Sequence, residues 1–459
     1  MRPSEAPMSL GSNRAPSQVE PSAAAPAPAL PATPSVKGPL ERGSKHLADV
    51  AAREPPSGHP PGPHQDPPPE DPGVARVIEQ LGWPPELFSD AAKQPRLVTT
   101  REKFLDELLL GNHLNDVVVF PRGIEVLGLT DSIPTSLLSA ATASHSVRGF
   151  LQRVPPKVLA TLKARVYYTE RGADEAWDFN TEAQLRETAD GSPLTSLEEK
   201  ARELERRPDI ADRHMYIAEL RKLKKYRHPV TNEWVKTAIS RDVKDSVPVA
   251  YRMLMPYWDV WDEGVFVGGA CSGSPLHVDQ VSWSNIGKNF LGYKVLVIWD
   301  YGPSSFKMLE DNLRMLFVNQ DDAAQMDVLR SARKIAIVRP GDVILFSGAN
   351  PHTAMCIGDG LSVTAYESFV NLNPVHAEVF IGTRSDDHFD ECWADTTDVE
   401  DIFDDAIDTA EDALEYMERT AVDPRLSTAF DTCMETLARH PQFRRWHTRR
   451  WKRRRANSV

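Results

Sequence analysis

The stretch GVFVGGACSGSPLHVDQVSWSNIGKNFLGYKVLVIWD, residues 264–300, carries most of the information about the fold. Short apolar runs alternate in it with Gly, Ser and Pro, a texture that is typical of β-strands joined by tight turns. Two further stretches of this kind follow, KIAIVRPGDVILFSG at residues 334–348 and LSVTAYESFVN at residues 361–371. Several short strands with turns between them predict an antiparallel sandwich or barrel.

The composition is that of a globular protein with additional segments that are not globular. The chain has 459 residues, 41% of them hydrophobic and 26% charged, which gives room for two or three domain-sized units. Its four cysteines form no CxxC pair, so neither a zinc module nor a disulfide framework is indicated. No apolar run approaches the length of a membrane span, and residues 1–17 lack the apolar core of a secretory signal. We therefore expect no membrane association and a location in the nucleus or the cytoplasm.

Five segments follow from the changes in composition along the chain. About half of the 37 prolines lie in the first segment, which is too poor in large apolar residues to fold by itself. The predicted segments are a disordered Pro/Ala-rich arm (1–72), a helical region (73–160), a β-rich domain (161–376), an acidic helical region (377–438) and a basic tail (439–459).

Two helices are predicted in detail. TSLEEKARELERRPDI begins with a capping box formed by Thr195 and Glu198. In the acidic region, apolar residues recur at steps of three and four and form one stripe, namely Phe403, Ile407, Ala410, Leu414 and Met417. Packing of this stripe on its own domain is the favoured interpretation, and a homodimer seam through residues 402–418 is the alternative.

Four H-x-[D/E] motifs occur among thirteen histidines, and about two would arise by chance. His64/Asp66 and His388/Asp390 lie in stretches that offer no rigid support, and His376/Glu378 has no partner histidine in a comparable context. His277/Asp279 differs, because it follows a strand and a tight turn. If the strand continues through it, both side chains project to the same face and can share one ion.

A third ligand is predicted in RPGDVILFSGANPHTAMC, residues 339–356, where a turn and a buried strand precede His352. Two histidines and one carboxylate make a facial triad, which leaves coordination positions open and favours Fe(II) chemistry with O₂. The alternative is a pair of hydrogen-bonded core histidines.

Lys294 is a lone lysine in the apolar strand YKVLVIWD. A keto acid that chelates iron at one end has a second carboxylate to bury, and this carboxylate needs a cation and a hydroxyl. Lys294 and Ser274 suit these roles, and Asn285 offers a further amide. The alternative for Lys294 is an edge-strand position with the amine in solvent. Trp283, Tyr293 and Trp299 are expected to fill the core rather than to wall the site.

Together, these motifs resemble the JmjC group of cupin-like Fe(II)- and 2-oxoglutarate-dependent dioxygenases. That family has a Thr/Ser-x-x-His-x-Asp/Glu turn, a Gly-x-Lys strand and a Pro-Gly-Asp…His strand in this order, and RHMYIAEL at 213–220 is similar to its aromatic-rich strand. The resemblance covers about residues 165–372.

The resemblance implies an α+β fold, with a double-stranded β-helix (jelly-roll) core and flanking helices. It implies Fe(II) on His277, Asp279 and His352, and 2-oxoglutarate at Lys294 and Ser274 with Asn285 nearby. The implied activity is hydroxylation of a protein side chain or demethylation of N-methyl-lysine, with histones and ribosomal proteins as candidate substrates. The sequence departs from the family after His352, where Tyr366 and Glu367 stand near the expected position of an asparagine. The rival class is a noncatalytic cupin-like binding module.

The basic tail RRWHTRRWKRRR, residues 444–455, interleaves Trp446, His447 and Trp451 with arginines. Such a segment suits nuclear import, or nucleic-acid or ribosome contact through phosphates and stacked bases. The remaining alternatives are a solvated tail and a tail docked on the acidic helix.

Overall fold

The computed structural model describes most of the chain beyond the proline-rich segment. The described residues are 72–171, 177–179, 195–206, 215–222, 226–227, 234–235, 239–258, 264–279, 281–312, 315–317, 322–383 and 396–457. The predicted disordered arm lies outside these ranges apart from Pro72, as do the motifs His64/Asp66 and His388/Asp390. None of the described helices has an apolar stretch of the length that a bilayer crossing requires.

The fold is mixed α+β, and its strands form mainly antiparallel sheets. The strands are β1 (Arg96–Leu97), β2 (Val118–Phe120), β3 (Leu162–Arg171), β4 (Trp177–Phe179), β5 (Thr195–Ser196), β6 (Met215–Lys222), β7 (Tyr226–Arg227), β8 (Trp234–Val235), β9 (Tyr257–Trp258), β10 (Gly264–Gly268), β11 (Gly273–His277), β12 (Ser284–Leu291), β13 (Tyr293–Ile298), β14 (Lys334–Val338), β15 (Val343–Ser347), β16 (His352–Ile357) and β17 (Ser362–Val370).

Two sheets face each other across an apolar layer. The larger sheet has the strand order β1-β2-β15-β12-β17-β10-β6-β3-β4, and the smaller one has the order β11-β16-β13-β14. Leu296, Ile298 and Val338 of the smaller sheet pack against Ile344 and Phe346 of the larger one. Because side chains alternate along a strand, this layer also fixes which residues of β13 and β16 point between the sheets.

Helices cover the outer faces of both sheets. The helices are α1 (Pro72–Leu81), α2 (Glu86–Ser89), α3 (Arg101–Leu110), α4 (Gly123–Val126), α5 (Thr135–Thr142), α6 (Val147–Arg153), α7 (Pro156–Leu159), α8 (Leu197–Glu205), α9 (Val249–Arg252), α10 (Pro303–Asn312), α11 (Ala323–Arg330), α12 (Pro374–Ile381), α13 (Thr396–Arg419), α14 (Pro424–Leu437) and α15 (Pro441–Asn457), with a 3₁₀ turn at Val243–Ser246. Helices α1, α10 and α11 pack on the smaller sheet, and α5, α6 and α8 pack on the larger one.

The apolar stripe of α13 is buried within its own chain. Phe403, Ala410 and Leu414 belong to the same core cluster as α14 and α15, with Ile407 and Met417 packed against it. The interpretation that this helix packs on its own domain is therefore confirmed. A homodimer through residues 402–418 stays a prediction, and it would have to use other side chains.

The basic tail is largely one helix, α15, and its tryptophan points inward. Trp446 is 8% exposed and packs with Phe443 in the cluster that contains α13. Its Nε1 donates a hydrogen bond to Glu411 of α13 at 2.8 Å. The prediction that bases stack on Trp446 is therefore wrong. This part of the tail is docked on the acidic helix, which was one of the alternatives. The side chain of Trp451 lies outside the described residues.

The predicted capping box is also wrong. Helix α8 begins at Leu197, and Ser196 is its N-cap residue, without a side-chain hydrogen bond to the helix. Thr195 is instead paired with Ala164 of β3 as part of β5. Because Thr195 belongs to this strand pair, it is not the residue that caps the helix.

The aromatic residues near the sheets serve packing, as expected. Trp299 is 1% exposed, and its indole donates to the carbonyl of Val328. Trp283 and Tyr293 are partly buried and pack against two different core clusters.

Candidate metal centre

The predicted ligands His277 and His352 meet because two strands end beside each other. His277 is the last residue of β11 and His352 is the first residue of β16, and the antiparallel register pairs them directly. Their ring centroids are 4.2 Å apart. His352 is also paired with Ile298 of β13, so it is held on both sides within the smaller sheet.

Asp279 reaches the same point from a loop rather than from a strand. The continuous strand predicted through His277 and Asp279 is not observed, because β11 ends at His277. The backbone N–H of Asp279 donates to the carbonyl of Gly348, immediately after β15. A Cβ on Gly348 would collide with the Asp279 carboxylate and would lie 2.8 Å from its Cγ. The absence of a side chain at position 348 thus makes the space that this carboxylate occupies.

The three side chains together have the dimensions of a metal site. Oδ1 of Asp279 is 3.5 Å from Nε2 of His277 and 3.7 Å from Nε2 of His352. One ligand atom from each residue lies within 4.8 Å of the others. With bonds of about 2.1 Å to a metal, two donors at a right angle stand about 3 Å apart. Small side-chain adjustments would therefore bring the three donors onto one octahedral ion.

Hydrogen bonds to the ring nitrogens also favour a metal. Nδ1 of His277 lies 2.6 Å from the carbonyl oxygen of Pro275, and Nδ1 of His352 lies 2.8 Å from that of Asn350. A carbonyl oxygen can only accept, so each Nδ1 carries the proton and each neutral ring presents a lone pair on Nε2. Backbone contacts of this kind orient metal-binding histidines. The donor set therefore fits a divalent ion with open coordination positions.

The Asp279 carboxylate is oriented by Asn285. Nδ2 of Asn285 donates to Oδ2 of Asp279 at 2.6 Å, which leaves Oδ1 facing the two histidines. Oδ1 of Asn285 accepts from the Ser368 hydroxyl at 2.9 Å, so the amide is held in one orientation. Asn285, predicted to lie near a cosubstrate, is thus found on the ligand carboxylate.

The loop before β16 is fixed by an asparagine from the N-terminal helical region. Asn350 and Asn115 pair reciprocally, with Asn350 Nδ2 donating to Asn115 Oδ1 at 2.6 Å and Asn115 N–H donating to Asn350 Oδ1 at 3.1 Å. The same Asn350 amide donates to the carbonyl of Trp299 at 2.7 Å. Since the carbonyl of Asn350 accepts from His352, this pair sets the position of a ligand. Sequence analysis missed it.

The electrostatics match a site that binds a cation. Although burial disfavours charge, the two histidines hold the pKa of Asp279 below its usual value. Burial and the neighbouring His277 lower the pKa of His352 to about 4, so this ring is neutral at physiological pH. Burial also acts to lower the pKa of His277, but the hydrogen bond and charge of Asp279 raise it. Metal binding would therefore compete with a proton at His277 rather than at His352.

Lys294 is buried between the sheets, so the solvent-exposed alternative is excluded. It is 1% exposed, and its Nζ lies 3.1 Å from the hydroxyl of Tyr216 and 3.4 Å from that of Tyr366. Burial alone would lower its pKa, but Tyr216 and Tyr366 outweigh burial and raise it, so the amine stays charged. The groups that act on this ammonium are Tyr216, Tyr366 and Cys356, which include no carboxylate. It is a buried cation in contact with two tyrosine hydroxyls.

Ser274 joins this cluster through Tyr216. Burial raises the pKa of Tyr216, and the side chain of Ser274 acts to lower it, while the Tyr216 hydroxyl contacts Lys294. The ammonium also lies over the rings of Tyr216, Phe266 and Tyr366, at 5.1 to 5.7 Å from their centroids. Tyr216 was not singled out from the sequence, although it lies in the aromatic-rich stretch at 213–220.

Tyr366 and Glu367, the two departures from the family pattern, point in opposite directions. Tyr366 turns toward Lys294, as described above, whereas Glu367 forms a buried ion pair with Lys288 at 2.7 Å. Glu367 also accepts from the N–H of Val243 and from the indole of Trp258. This second buried lysine is therefore a structural one, with its charge neutralised.

His376 and Glu378 do not form a ligand pair. Glu378 is paired with Arg439 at 2.8 Å, while the His376 ring stacks on His113 with centroids 4.0 Å apart. His376 thus has a distant partner histidine, which corrects the sequence interpretation. Its Nε2 accepts from the backbone N–H of His113, and its Nδ1 contacts the Ser284 hydroxyl. Among the described residues, no third ligand joins these two rings.

Comparisons with known proteins add little to this geometry. The sequence matches no protein family, and no curated protein is similar to it. Among solved structures, the chain is similar to YcfD, a ribosomal oxygenase from Escherichia coli in complex with cobalt and succinic acid, with a TM-score of 0.28. The two are 11% identical, and the match covers 76% of this chain and 70% of that chain.

Proposed function

We propose that the chain is an Fe(II)- and 2-oxoglutarate-dependent oxygenase whose two facing sheets are a double-stranded β-helix of the JmjC type. One observation carries the proposal, which is the convergence of His277, Asp279 and His352 with both imidazoles turned toward a common point. Two histidines and a carboxylate are the donor set of non-haem iron oxygenases. A closed structural zinc site would need a fourth protein ligand.

Ferrous iron bound there would supply the activation of O₂, with decarboxylation of 2-oxoglutarate to succinate and CO₂ and oxidation of a substrate C–H bond. The chain itself would hold the ion on three side chains and keep their orientation. His277 and His352 are fixed through their Nδ1 atoms, and Asp279 is fixed through Asn285. The partly exposed His277 leaves this centre open to a second molecule, since its side chain is 32% exposed.

The buried ammonium of Lys294 is the proposed anchor of the distal carboxylate of 2-oxoglutarate. A buried cation without an anionic partner is unfavourable, and a bound carboxylate would relieve this. Lys294 and Ile298 lie on the same face of β13, and Ile298 is opposite His352. Four residues of strand span about 13 Å, which leaves room for a lysine side chain and a five-carbon dicarboxylate between the two sites. The hydroxyls of Tyr216, Tyr366 and Ser274 would complete the carboxylate's hydrogen bonds.

The proposed substrate is a protein side chain, with histones and ribosomal proteins as candidates. Hydroxylation of a carbon side chain gives a stable alcohol. Hydroxylation of an N-methyl group gives a hemiaminal, which collapses to formaldehyde and the demethylated amine. The same iron centre would serve both reactions, so the bound substrate decides between them. Mapping mass changes on proteins of a cell extract after incubation would separate hydroxylation from demethylation.

The test is turnover of 2-oxoglutarate by the full chain with Fe(II), ascorbate and O₂, followed as succinate. We expect slow uncoupled succinate formation, which His277→Ala abolishes together with iron binding. His145→Ala is the matched control, because His145 is exposed and distant in sequence from the site. Iron binding without any succinate formation, with or without extract, would favour the noncatalytic binding module. The absence of iron binding would refute both the centre and the enzyme.

A further inference from the structure

Helix α15 has one side docked on the protein and the other side exposed. On the docked side, Phe443 and Trp446 are buried, and the Trp446 indole is hydrogen-bonded to Glu411. Gln442 adds a hydrogen bond from its amide to Asp404 at 3.2 Å. These contacts tie the first turns of α15 to α13, so this basic segment is a fixed helix rather than a loose tail.

The exposed surface of α15 is basic, and its Arg445 and Arg449 border a cleft that they share with Asp404 and Glu411 of α13. Arg444, Arg445 and Arg449 are exposed, and within the described part of the chain no ion pair neutralises Arg445 or Arg449. The helix continues to Asn457. We call these three arginines, Arg444, Arg445 and Arg449, the basic face. From Arg444 to Arg449 it extends along about 8 Å of helix.

The docking of α15 decides between possible partners of this face. A helix that lies in a membrane surface inserts a free apolar side, but here Phe443 and Trp446 are already packed against α13. A receptor that reads a basic stretch as an extended peptide would first have to unfold the docked helix. A polyanion with a regular array of charges needs neither change, because it can contact the arginines where they stand.

We propose that the basic face of α15 binds the phosphates of duplex DNA. A helix with its side chains is about 10 to 12 Å wide, and the major groove of B-form DNA is about 12 Å wide. The deep and narrow major groove of duplex RNA does not admit a helix. Phosphates line both rims of the DNA groove, where arginines contact them without reading the sequence. The inference is independent of the iron centre.

The acidic charge of the rest of the protein sets the strength of this binding. The net charge is −13, and the neighbouring α13 carries Asp404, Asp408 and Asp412 on or near its exposed surface. Partial burial raises the pKa of Asp408, and repulsion from the neighbouring carboxylates raises it further. Negative charge is therefore dense on this helix. We therefore expect weak, nonspecific binding that is measurable at low salt and falls steeply as salt is added.

The experiment is fluorescence anisotropy of a short labelled DNA duplex titrated with the full chain at increasing salt. Each phosphate contact contributes about 0.9 to the slope of log affinity against log salt, so three contacts predict a slope of about −3. The double substitution Arg445→Gln/Arg449→Gln is expected to weaken binding and to reduce the slope by about 2. Arg330→Gln/Arg333→Gln removes two exposed arginines elsewhere and is expected to leave the slope unchanged.

Four results would overturn the proposal. They are no binding at low salt, an unchanged slope in the α15 variant, equal affinity for a duplex RNA of the same sequence, and equal affinity for vesicles that contain anionic lipid. Circular dichroism and iron binding of each variant identify any loss that comes from unfolding. Since both arginines are exposed, we expect these two measurements to match the parent protein.

Discussion

His277 and His352 are direct cross-strand partners, with their ring centroids 4.2 Å apart where β11 ends and β16 begins. This relationship depends on strand register, because a slip of one residue between β11 and β16 would turn one ring to the opposite face. The register has an irregularity between Ser274 and His277, beside Pro275. The hydrogen bond from Nδ1 of His277 to the Pro275 carbonyl uses this irregular backbone, so one local feature both places and orients the ligand.

Gly348→Ala should weaken metal binding while leaving every ligand in the sequence. Its Cβ would occupy the space of the Asp279 carboxylate, which would have to move away from the two histidines. Disturbed orientation of a ligand typically reduces metal affinity about 10- to 100-fold. Anaerobic titration with Fe(II) measures this change. Gly360→Ala is the control, since a Cβ at Gly360 meets open space. Equal iron affinity in the two variants would contradict this account of Gly348.

Asn285→Ala should lower iron affinity by a similar factor, about 10- to 100-fold, because Asp279 would lose the amide that orients it. Ser368→Ala removes only the outer partner of that amide and should have a smaller effect. The visible spectrum of bound Co(II) provides a second readout, since it reports ligand geometry rather than fold stability. If the order of the two effects is reversed, Asn285 acts through packing and not through Asp279.

The candidate triad could be predicted from sequence because each ligand follows a recognisable turn. Gly-Ser-Pro precedes His277, and Gly-Ala-Asn-Pro precedes His352, so the chain direction at both ligands was constrained by turn chemistry. The strands β10, β13, β14, β15 and β17 were predicted for a related reason, since their apolar runs are continuous or nearly so. A buried strand needs such a run to cover both faces.

Strand β12 was not predicted, because its stabilising contacts are polar and distant in sequence. Lys288 and Asn289 are fully buried in the centre of the larger sheet, where hydrophobicity predicts neither. Lys288 is neutralised by Glu367, and Asn289 bonds the Gly292 carbonyl and the Thr364 hydroxyl. The pairing of Asn115 with Asn350 escaped prediction for the same reason. It joins residues 235 positions apart, and no local pattern marks it.

Lys294→Met should separate cosubstrate binding from iron binding. The substitution keeps the unbranched side chain but removes the ammonium that faces Tyr216 and Tyr366. If the proposed function holds, the KM for 2-oxoglutarate in succinate formation should rise about 30-fold or more, since a buried charge pair is lost. Iron affinity should stay within about twofold, because Lys294 contacts none of the three ligands. Lys93→Met, at an amine that binds backbone carbonyls on the surface, is the control. An unchanged KM would place the cosubstrate elsewhere.

Asn115→Gly should weaken iron binding about 10-fold, although position 115 contacts no ligand directly. The loss of its amide would free Asn350, whose carbonyl orients His352. Glycine is the informative replacement because Asn115 has a left-handed backbone with φ of 61°. Asn115→Ala adds strain of about 1 kcal/mol at this φ and should destabilise the fold further. Iron titration and urea unfolding of both variants distinguish the two effects. An iron affinity that falls only with the alanine would assign the role of Asn115 to its backbone alone.

His376 should make the protein less stable in acid, and His376→Asn should reduce this dependence. Burial lowers the pKa of His376 from 6.5 to about 3, and its Nε2 accepts the His113 N–H, so protonation would break that hydrogen bond. Above pH 6.5 the ring is neutral in both the folded and the unfolded chain. As pH falls from 6.5 toward 3, only the unfolded chain takes up the proton, so the free energy of unfolding falls by up to about 1.4 kcal/mol per pH unit. Urea unfolding across this range should give a shallower slope for His376→Asn than for the parent protein, whereas His145→Asn, at an exposed histidine, should match the parent. Equal slopes in all three proteins would mean that His376 is protonated as readily in the folded chain as in the unfolded one.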